Sequence, residues 1–302
     1  MKSSLILTLY ILLIFASACK KTETQNLATT NNIIDTTKTV SIDKEKLQTY
    51  QNFLNKLDTA DLLSASKAGT EFLQIFKDTD LDTNDSAFTL FQDFHTQMTA
   101  PIQTIVDKEN ENYLELFLDR GKVSKAVKEF SEKIKTNGFR LGTVEGYVYV
   151  AVLPSFQRKY FFDKLSPAMQ SYFVAWEKEG QEGTADDGGL LVEPIILAER
   201  LVFWENFAKT YPNFRRKQEV IFQKQGLIDM LLNGLPNTPA FLYDTNDLEK
   251  SYRVAYRFLI DKNADTEAGK LFIEYYNILS KNNLKDSPKA QEFRTKITGY
   301  AE

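Results

Sequence analysis

Two adjacent residues of opposite charge, Glu199 and Arg200, lie in a strongly apolar stretch of the chain. On a helix, side chains three and four positions apart are neighbours, and most such neighbours of these two charges are apolar. An unpaired charge in apolar surroundings is costly, so each charge is expected to have a partner. One interpretation is a structural ion-pair network that includes Arg253 or Arg257 from a later helix.

The other interpretation of Glu199 and Arg200 is a polar cluster within a ligand-binding cleft. Ligand sites combine mostly apolar walls with a few charged or polar groups. The chain contains two tryptophans, Trp176 and Trp204, and these are the expected walls of such a cleft. The sequence leaves the choice between a network and a cleft open.

Further candidate ligand-binding residues, Glu145, Tyr147 and Tyr149, lie in a stretch rich in valine, tyrosine and glycine. Residues 139–153 have the composition of a short β-hairpin, with Glu145 and Gly146 as its turn. Alternation along a strand places the two tyrosines on one face. Tyrosines beside a carboxylate suit a sugar or peptide ligand, but they could equally cap a helical core.

An alternating acidic run, 78–85, resembles part of a calcium-binding loop. Its oxygen-bearing side chains are Asp78, Asp80, Asp82 and Asn84. A complete loop of this kind has glycine at its sixth position and a bidentate glutamate at its twelfth, where this chain has threonine. An acidic linker that caps the next helix is therefore the favoured interpretation, and a loose calcium site is the alternative.

No motif identifies a catalytic centre. A single histidine, His95, and a single cysteine exclude the common zinc ligand sets. His95 shares a helical stripe with Phe91 and Met98, so we expect a hydrogen-bonded position at the edge of the core. With 41 acidic residues, no pair of carboxylates can be selected for glycoside hydrolysis. We assign no catalytic residue, expect no cofactor and no metal, and favour a non-enzymatic protein.

Composition argues against nucleic acid as a partner. The formal net charge is −4, and the one compact basic cluster is 215–217. Nucleic-acid binding needs a broad basic patch to neutralise phosphates. Hydrophobic residues make up 43% of the chain, which is enough to build a substantial core.

The candidate residues above belong to a mainly α chain. Apolar side chains recur at spacings of three and four through most of 42–302, which predicts about eleven helices stacked as helical hairpins. The only β-structure predicted is the short hairpin within 139–153. Ser166 and Pro167 have the residue types of a helix start. The glycine-rich loop 180–189 is a candidate boundary between two halves of this domain.

The N-terminus has the features of an exported and cleaved segment. Lys2 precedes an apolar run, 5–15, which is too short to span a bilayer but suits a signal peptide. Ala16, Ser17 and Ala18 follow, and then Cys19. This pattern resembles bacterial lipoproteins, in which a small residue precedes a cysteine that is acylated on sulfur and becomes the new N-terminus. Ala16 departs from the family, which usually has a bulky apolar residue there.

The resemblance implies a signal peptide at 1–18 and lipidation of Cys19, and polar residues 19–41 suit a flexible tether. The alternative is an ordinary signal peptide whose removal leaves a free cysteine. In some enterobacterial lipoproteins an aspartate after the cysteine retains the protein at the inner membrane. Lys20 occupies that position here, so the resemblance implies the outer membrane of a bacterial envelope, with the lipid as the contact to the membrane.

Three functions are compatible with these features. The favoured one is an envelope-anchored binding or interaction module for a peptide, glycan or protein partner. The alternatives are a cell-envelope hydrolase that uses carboxylates, such as Glu145 and Glu199, and a scaffold subunit of an outer-membrane assembly. An aromatic-lined groove with few acids would favour binding, paired carboxylates with raised pKa values would favour hydrolysis, and an exposed apolar patch would favour a scaffold.

Overall fold

A computed structural model describes residues 43–118 and 123–299, which belong to one compact unit, 40–302. The predicted signal peptide, the predicted lipidation site Cys19 and the predicted tether, 19–41, lie outside the described residues. The described chain is mainly α-helical, which confirms the predicted fold class. It contains thirteen α-helices and three short antiparallel hairpins.

The first half of the domain holds seven helices and the largest hairpin. Its helices are α1 Lys44–Leu54, α2 Leu63–Ile75, α3 Leu81–Gln97, α4 Thr99–Asp107, α5 Asn110–Leu114, α6 Lys125–Thr136 and α7 Pro154–Phe161. The hairpin consists of β1 Phe139–Val144 and β2 Tyr147–Val152. A 3-10 turn, Phe162–Lys164, follows α7.

The second half holds six helices and two minimal hairpins. Its helices are α8 Pro167–Glu182, α9 Pro194–Thr210, α10 Lys217–Asn233, α11 Lys250–Lys262, α12 Glu267–Ser280 and α13 Pro288–Thr298. Its hairpins pair β3 Ala185–Asp186 with β4 Gly189–Leu190, and β5 Gly234–Leu235 with β6 Thr238–Pro239.

Side chains that accept hydrogen bonds from backbone amides start several of these helices. Ser166 caps α8 and accepts a hydrogen bond from the Met169 amide, with Pro167 at the first helical position. Such a cap satisfies an amide that has no partner within the helix. The predicted helix start at Ser166 and Pro167 is thus present, and it fixes the direction in which α8 leaves the preceding chain.

The predicted hairpin is confirmed, with Val144 paired to Tyr147 beside the turn. Glu145 has φ 48° and Gly146 has φ 78°, both in the left-handed region. Two-residue hairpin turns with positive φ at both positions match the right-handed twist of the strands. Glycine adopts this conformation readily, whereas the glutamate is held in it by the strands on either side.

One apolar cluster extends through the domain, from Tyr50 in α1 to Phe293 in α13. It includes residues on both sides of 180–189, where the structure has the end of α8 and most of the β3–β4 hairpin, so this stretch does not divide the core into two halves. Helix α9 packs against both α10 and α11, and its residues Leu197 and Leu201 are fully buried. A smaller cluster joins β2 to α4, α5 and α6 and contains Val148, Val106, Tyr113 and Val127.

Within the described ranges, none of the helices has the length and apolar character needed to cross a bilayer.

Candidate functional site

The candidate functional site is a cleft of about 660 Å³ that combines aromatic and acidic side chains. It lies between α8 and α10, with Trp204 of α9 at its floor. Four aromatic side chains and two carboxylates line it: Tyr172, Trp176, Trp204, Phe222, Glu179 and Glu219. Trp204 is 3% exposed at the floor, whereas Phe222 is 80% exposed at the rim. We refer to it as the aromatic cleft.

Helix α8 contributes one continuous face to this cleft. Tyr172, Trp176, Glu179 and Gly183 follow one another at spacings of four, three and four residues. Such spacing keeps side chains on one side of a helix. The face is aromatic in its first two turns and acidic in its third, where α9 comes close through Trp204.

Glu179 is held by one neutral donor on each oxygen. The indole Nε1 of Trp204 donates to Oε1 at 2.8 Å, and the amide Nε2 of Gln223 donates to Oε2 at 2.6 Å. A tryptophan is a donor only, so the Trp204 bond requires an accepting oxygen, as an ionised carboxylate provides. Among the residues that the structure describes, no cation forms an ion pair with Glu179.

Burial raises the pKa of Glu179, because the charged form loses hydration. The hydrogen bond from Trp204 and the charge of Arg200 act in the opposite direction without overcoming this effect. Glu179 is therefore a partly buried carboxylate whose negative charge no directly bonded cation offsets within the described chain.

Glu219, the second carboxylate, is already neutralised. Its Oε1 accepts a hydrogen bond from Nε of Arg216 at 2.6 Å, and its Oε2 accepts one from the Tyr172 hydroxyl at 2.5 Å. The Arg216 guanidinium also lies 5.4 Å from the centre of the Tyr172 ring. Burial raises the pKa of Tyr172, so its hydroxyl stays protonated and donates to Glu219.

Arg200 is buried and forms an ion pair, but its partner lies on α8 and not on a later helix. Its side chain is 6% exposed and donates to Glu182 Oε2 at 3.0 Å, Thr184 Oγ1 at 2.7 Å and the Gly183 carbonyl at 2.9 Å. The hydrogen bond from Arg200 lowers the pKa of Glu182. Arg200 thus fastens the end of α8 to α9, next to the aromatic cleft.

The suggested partners Arg253 and Arg257 are wrong, whereas Arg200 does form a structural ion pair, with Glu182. Arg253 is exposed, and Arg257 pairs with Asp261 one turn further along its own helix, at 2.6 Å. Glu199 is exposed as well and needs no buried partner. The apolar neighbours of Glu199 in sequence flank a narrow strip of α9 that faces solvent.

Glu199 and Arg200 line a second cleft, of about 470 Å³, between α8 and α9. Its walls include Val174 and Phe203, and neither tryptophan contributes to it. The sequence grouped Glu199 and Arg200 with Trp176 and Trp204, and the structure separates these pairs into neighbouring clefts. Glu179 lines both, because it lies between the two faces of α8.

The hairpin residues belong to neither cleft. Glu145 is in the exposed turn, and the Tyr147 hydroxyl donates to Asp107 of α4 at 2.9 Å. Tyr149 pairs with Gly142 on the facing strand, and its ring covers this glycine. Neither tyrosine belongs to an apolar cluster, because alternation along β2 turns Val148 and Val150 toward the smaller cluster and the tyrosines to the other face. The structure therefore places these tyrosines neither in a cleft nor on the helical core.

The acidic run at 78–85 caps helix α3. Asp80 accepts hydrogen bonds from the amide and hydroxyl of Thr83, and Asp82 pairs with Arg215 at 2.8 Å. Asn84 bonds to Thr79 and to the Lys164 carbonyl, while Asp78 is exposed. In the two described ranges, no group of three acidic, histidine or cysteine side chains is placed to hold a metal ion.

His95 is fully buried and contacts the rings of Phe91 and Phe139, at 5.1 and 4.5 Å between ring centroids. Its Nδ1 lies 3.2 Å from Nε2 of Gln157. Burial lowers the pKa of His95 to about 3, so the ring is neutral at physiological pH. His95 is therefore a core residue outside both clefts.

Comparison with known proteins finds no family model, curated protein or solved structure that matches this chain.

Sequence reasoning missed Glu179, Glu219 and Gln223, which complete the aromatic cleft. The spacing of Glu179 from Tyr172 and Trp176 was a usable signal, because it places the three on one helix face. Nothing in the sequence indicates that α10 covers this face. The contributions of Glu219 and Gln223 therefore depend on tertiary packing.

Proposed function

We propose that the protein is an envelope-anchored lipoprotein whose helical domain binds a peptide, glycan or protein ligand in the aromatic cleft. The observation that carries the binding proposal is the convergence of Tyr172, Trp176, Trp204 and Glu179 on one open cleft of about 660 Å³. Mostly apolar walls with a few fixed polar groups are typical of ligand sites. The resemblance at Ala16–Cys19 supports the anchor.

Binding is favoured over hydrolysis because the carboxylates of the cleft are already engaged. Glycoside hydrolases need one carboxyl group to donate a proton and another to attack or to activate water. The oxygens of Glu219 are held by Tyr172 and Arg216, and those of Glu179 by Trp204 and Gln223. Such bonds fix the positions of side chains, as a preorganised binding site requires.

The rim of the cleft supports a ligand that extends beyond it. Phe222, which lines the cleft from α10, is 80% exposed. Exposed apolar side chains at the edge of a pocket are typical of surfaces that a partner covers. A peptide or glycan chain with one group in the cleft would pass over this edge.

Lipidation of Cys19 would place the domain at a membrane, and Lys20 in place of aspartate favours the outer membrane. Each buried methylene contributes about 0.8 kcal/mol, and stable anchoring takes more than one acyl chain. Lipoproteins of this class carry two or three chains on the cysteine. The residues 19–41 would then separate the domain from the bilayer.

Both tryptophans of the chain line the aromatic cleft, so intrinsic tryptophan fluorescence of the full-length protein reports on this site. The experiment titrates the protein with a panel of tripeptides and disaccharides. We expect a saturable change that Trp176→Ala abolishes and Val174→Ala, in the second cleft, leaves intact. The reverse pattern, or no response to any member of the panel, would contradict the proposed site.

The anchor is tested by metabolic labelling with an alkyne fatty acid, followed by fractionation of the membranes. We expect label and membrane attachment in the full-length protein and neither in Cys19→Ser. The double variant Cys19→Ser with Thr22→Cys restores a thiol three positions away, and it should remain unlabelled. Label on this control, or membrane attachment of Cys19→Ser, would contradict lipidation at Cys19.

A further inference from the structure

The charge of Glu179 distinguishes the aromatic cleft from an ordinary apolar pocket. Charged groups removed from water are usually paired with an opposite charge. In the described chain, Arg200 is committed to Glu182 and Arg216 to Glu219, so neither cation pairs with Glu179. Trp204 and Gln223 each donate one hydrogen bond to Glu179, one to each carboxylate oxygen, and neither carries a positive charge.

Glu179 keeps the capacity to accept further hydrogen bonds. A carboxylate offers about four acceptor positions, and Trp204 and Gln223 occupy two of them. The side chain is only partly buried and lines the cleft, so a ligand can approach it from the open side. These free positions suit an N–H donor that carries positive charge, because charge-assisted bonds are the stronger ones.

The rings around Glu179 favour the same kind of ligand. Trp176 lies one turn before Glu179 on α8, and Trp204 bonds to it directly. A cation over the face of an aromatic ring is attracted by the ring's electron density, most strongly for tryptophan. Aromatic side chains combined with a carboxylate are a recurrent means of binding alkylated and free ammonium groups.

The remaining lining residues discriminate against anions. Among the described residues that line the aromatic cleft there is no lysine or arginine, and Glu179 carries the charge that remains, because Glu219 pairs with Arg216. A phosphate or carboxylate ligand would have to approach Glu179 with no basic side chain on the cleft surface to offset the repulsion. The second cleft differs in this respect, because Lys178 and Arg200 line it.

We infer that the ligand of the aromatic cleft presents a positively charged ammonium or guanidinium group, which pairs with Glu179 beside Trp176 and Trp204. This inference rests on the proposed binding function and adds the class of ligand. The group can belong to a basic peptide side chain or to an amino sugar, since both carry a cationic nitrogen on a partly apolar body. Glu219 and Tyr172 are hydrogen-bonded to each other and form one wall of the cleft.

The test compares three probes of similar size and different charge: phenethylamine, phenethyl alcohol and 3-phenylpropionate. Each is titrated into the full-length protein and followed by tryptophan fluorescence and calorimetry. We expect the amine to bind at least about tenfold more tightly than the alcohol, and the propionate more weakly still. Equal affinities for amine and alcohol, with both abolished by Trp176→Ala, would overturn the inference and leave the proposed binding site intact.

The matched variants are Glu179→Gln in the aromatic cleft and Glu199→Gln in the second cleft. Glu179→Gln keeps an oxygen for Trp204 and removes the charge, so the amine should lose about tenfold in affinity while the alcohol is unaffected. Glu199→Gln should bind the amine like the unchanged protein. Circular dichroism checks that both variants fold, and an amine affinity in Glu179→Gln equal to that of the unchanged protein would overturn the inference.

A second comparison distinguishes the two sources of the cation. Gly-Lys-Gly is paired with Gly-norleucine-Gly, and glucosamine with N-acetylglucosamine, so that each cation has a neutral counterpart. Preferential binding of either cationic member supports the inference and identifies the source. Equal binding of both members in each pair would overturn it, and failure of all probes, phenethylamine included, would contradict the proposed function as well.

Discussion

The indole Nε1 of Trp204 donates a 2.8 Å hydrogen bond to Oε1 of Glu179, which joins α9 to α8 at the floor of the aromatic cleft. This bond places a negative charge beside the more deeply buried of the two tryptophans. Burial alone would favour protonation of Glu179, whereas the bond from Trp204 favours the ionised form. The negative charge of Glu179 therefore lowers the stability of the fold.

The first prediction concerns this loss of stability. Because burial raises the pKa of Glu179 above that of an exposed glutamate, ionisation is less favourable in the fold than in the unfolded chain. Glu179→Gln removes the charge, so the free energy of unfolding at pH 8 should be unchanged or higher by up to about 1 kcal/mol. Urea denaturation measures this, and a loss above about 2 kcal/mol would indicate a structural role instead.

The second prediction is the pH dependence of amine binding. A protonated Glu179 cannot pair with a cation, so affinity for phenethylamine should fall as the pH is lowered through the raised pKa of Glu179. Four neighbouring groups also shift the pKa of Glu179. They are Arg200 from α9, Glu182 from α8, and the neutral donors Trp204 and Gln223. Glu179→Gln should lose this pH dependence, and its retention in that variant would assign the titration to another group.

The predicted fold class and the hairpin were accessible from sequence because both depend on local patterns. Glu145 and Gly146 are flanked by residues that favour strands, and the structure has its turn at these two positions. Helix α7 was not predicted from the sequence, in which Pro154 directly follows the hairpin stretch. Proline also suits the first position of a helix, where its missing N–H is not needed, and Pro154 occupies that position in α7.

The aromatic cleft was only partly accessible, since it depends on which helices meet. The sequence suggested Trp176 and Trp204 as walls of one cleft, and both line the aromatic cleft, but the sequence could not show that Arg200 turns toward Glu182 at the end of α8. It also could not show that Glu199 faces solvent, because the neighbours of Glu199 on α9 are apolar in sequence. The packing of α9 against its neighbours, α10 and α11 above all, determines which strip of α9 remains exposed.

The third prediction concerns Arg200, which should be structural. Arg200→Ala removes hydrogen bonds to Glu182, Thr184 and the Gly183 carbonyl, so the free energy of unfolding should fall by about 2 to 3 kcal/mol. Arg257→Ala breaks an exposed pair with Asp261 and should cost less than about 1 kcal/mol. Urea denaturation compares the two, and equal losses would contradict the structural role of Arg200.

The fourth prediction concerns the packing of Tyr149 on Gly142 in the hairpin. A Cβ at position 142 would lie 2.4 Å from Cζ of Tyr149, so Gly142→Ala must displace the ring. We expect a loss of about 1 to 2 kcal/mol that shrinks markedly when Tyr149→Ala is present, which a double-mutant cycle measures. Gly226→Ala, which has open space in helix α10, should instead stabilise the protein by up to about 1 kcal/mol.

The fifth prediction concerns His95, the chain's one histidine. Burial lowers the pKa of His95 to about 3 in the fold, against about 6.5 for an exposed histidine. Between these values the unfolded chain binds one more proton at this residue, so its contribution to stability falls as the pH falls. The slope should approach about 1.4 kcal/mol per pH unit below pH 6, measured by urea denaturation.

His95→Gln serves as the reference for this slope, because glutamine does not titrate and can still bond to Gln157. Glu179, Glu205 and Asp85 also have pKa values that burial raises, and their titration acts in the opposite direction as the pH falls. These groups are present in both proteins, so the difference between the two curves isolates His95. Parallel curves between pH 7 and pH 5 would mean that the imidazole reaches a proton acceptor or solvent in the fold, against its complete burial among Phe91, Phe139 and Phe156.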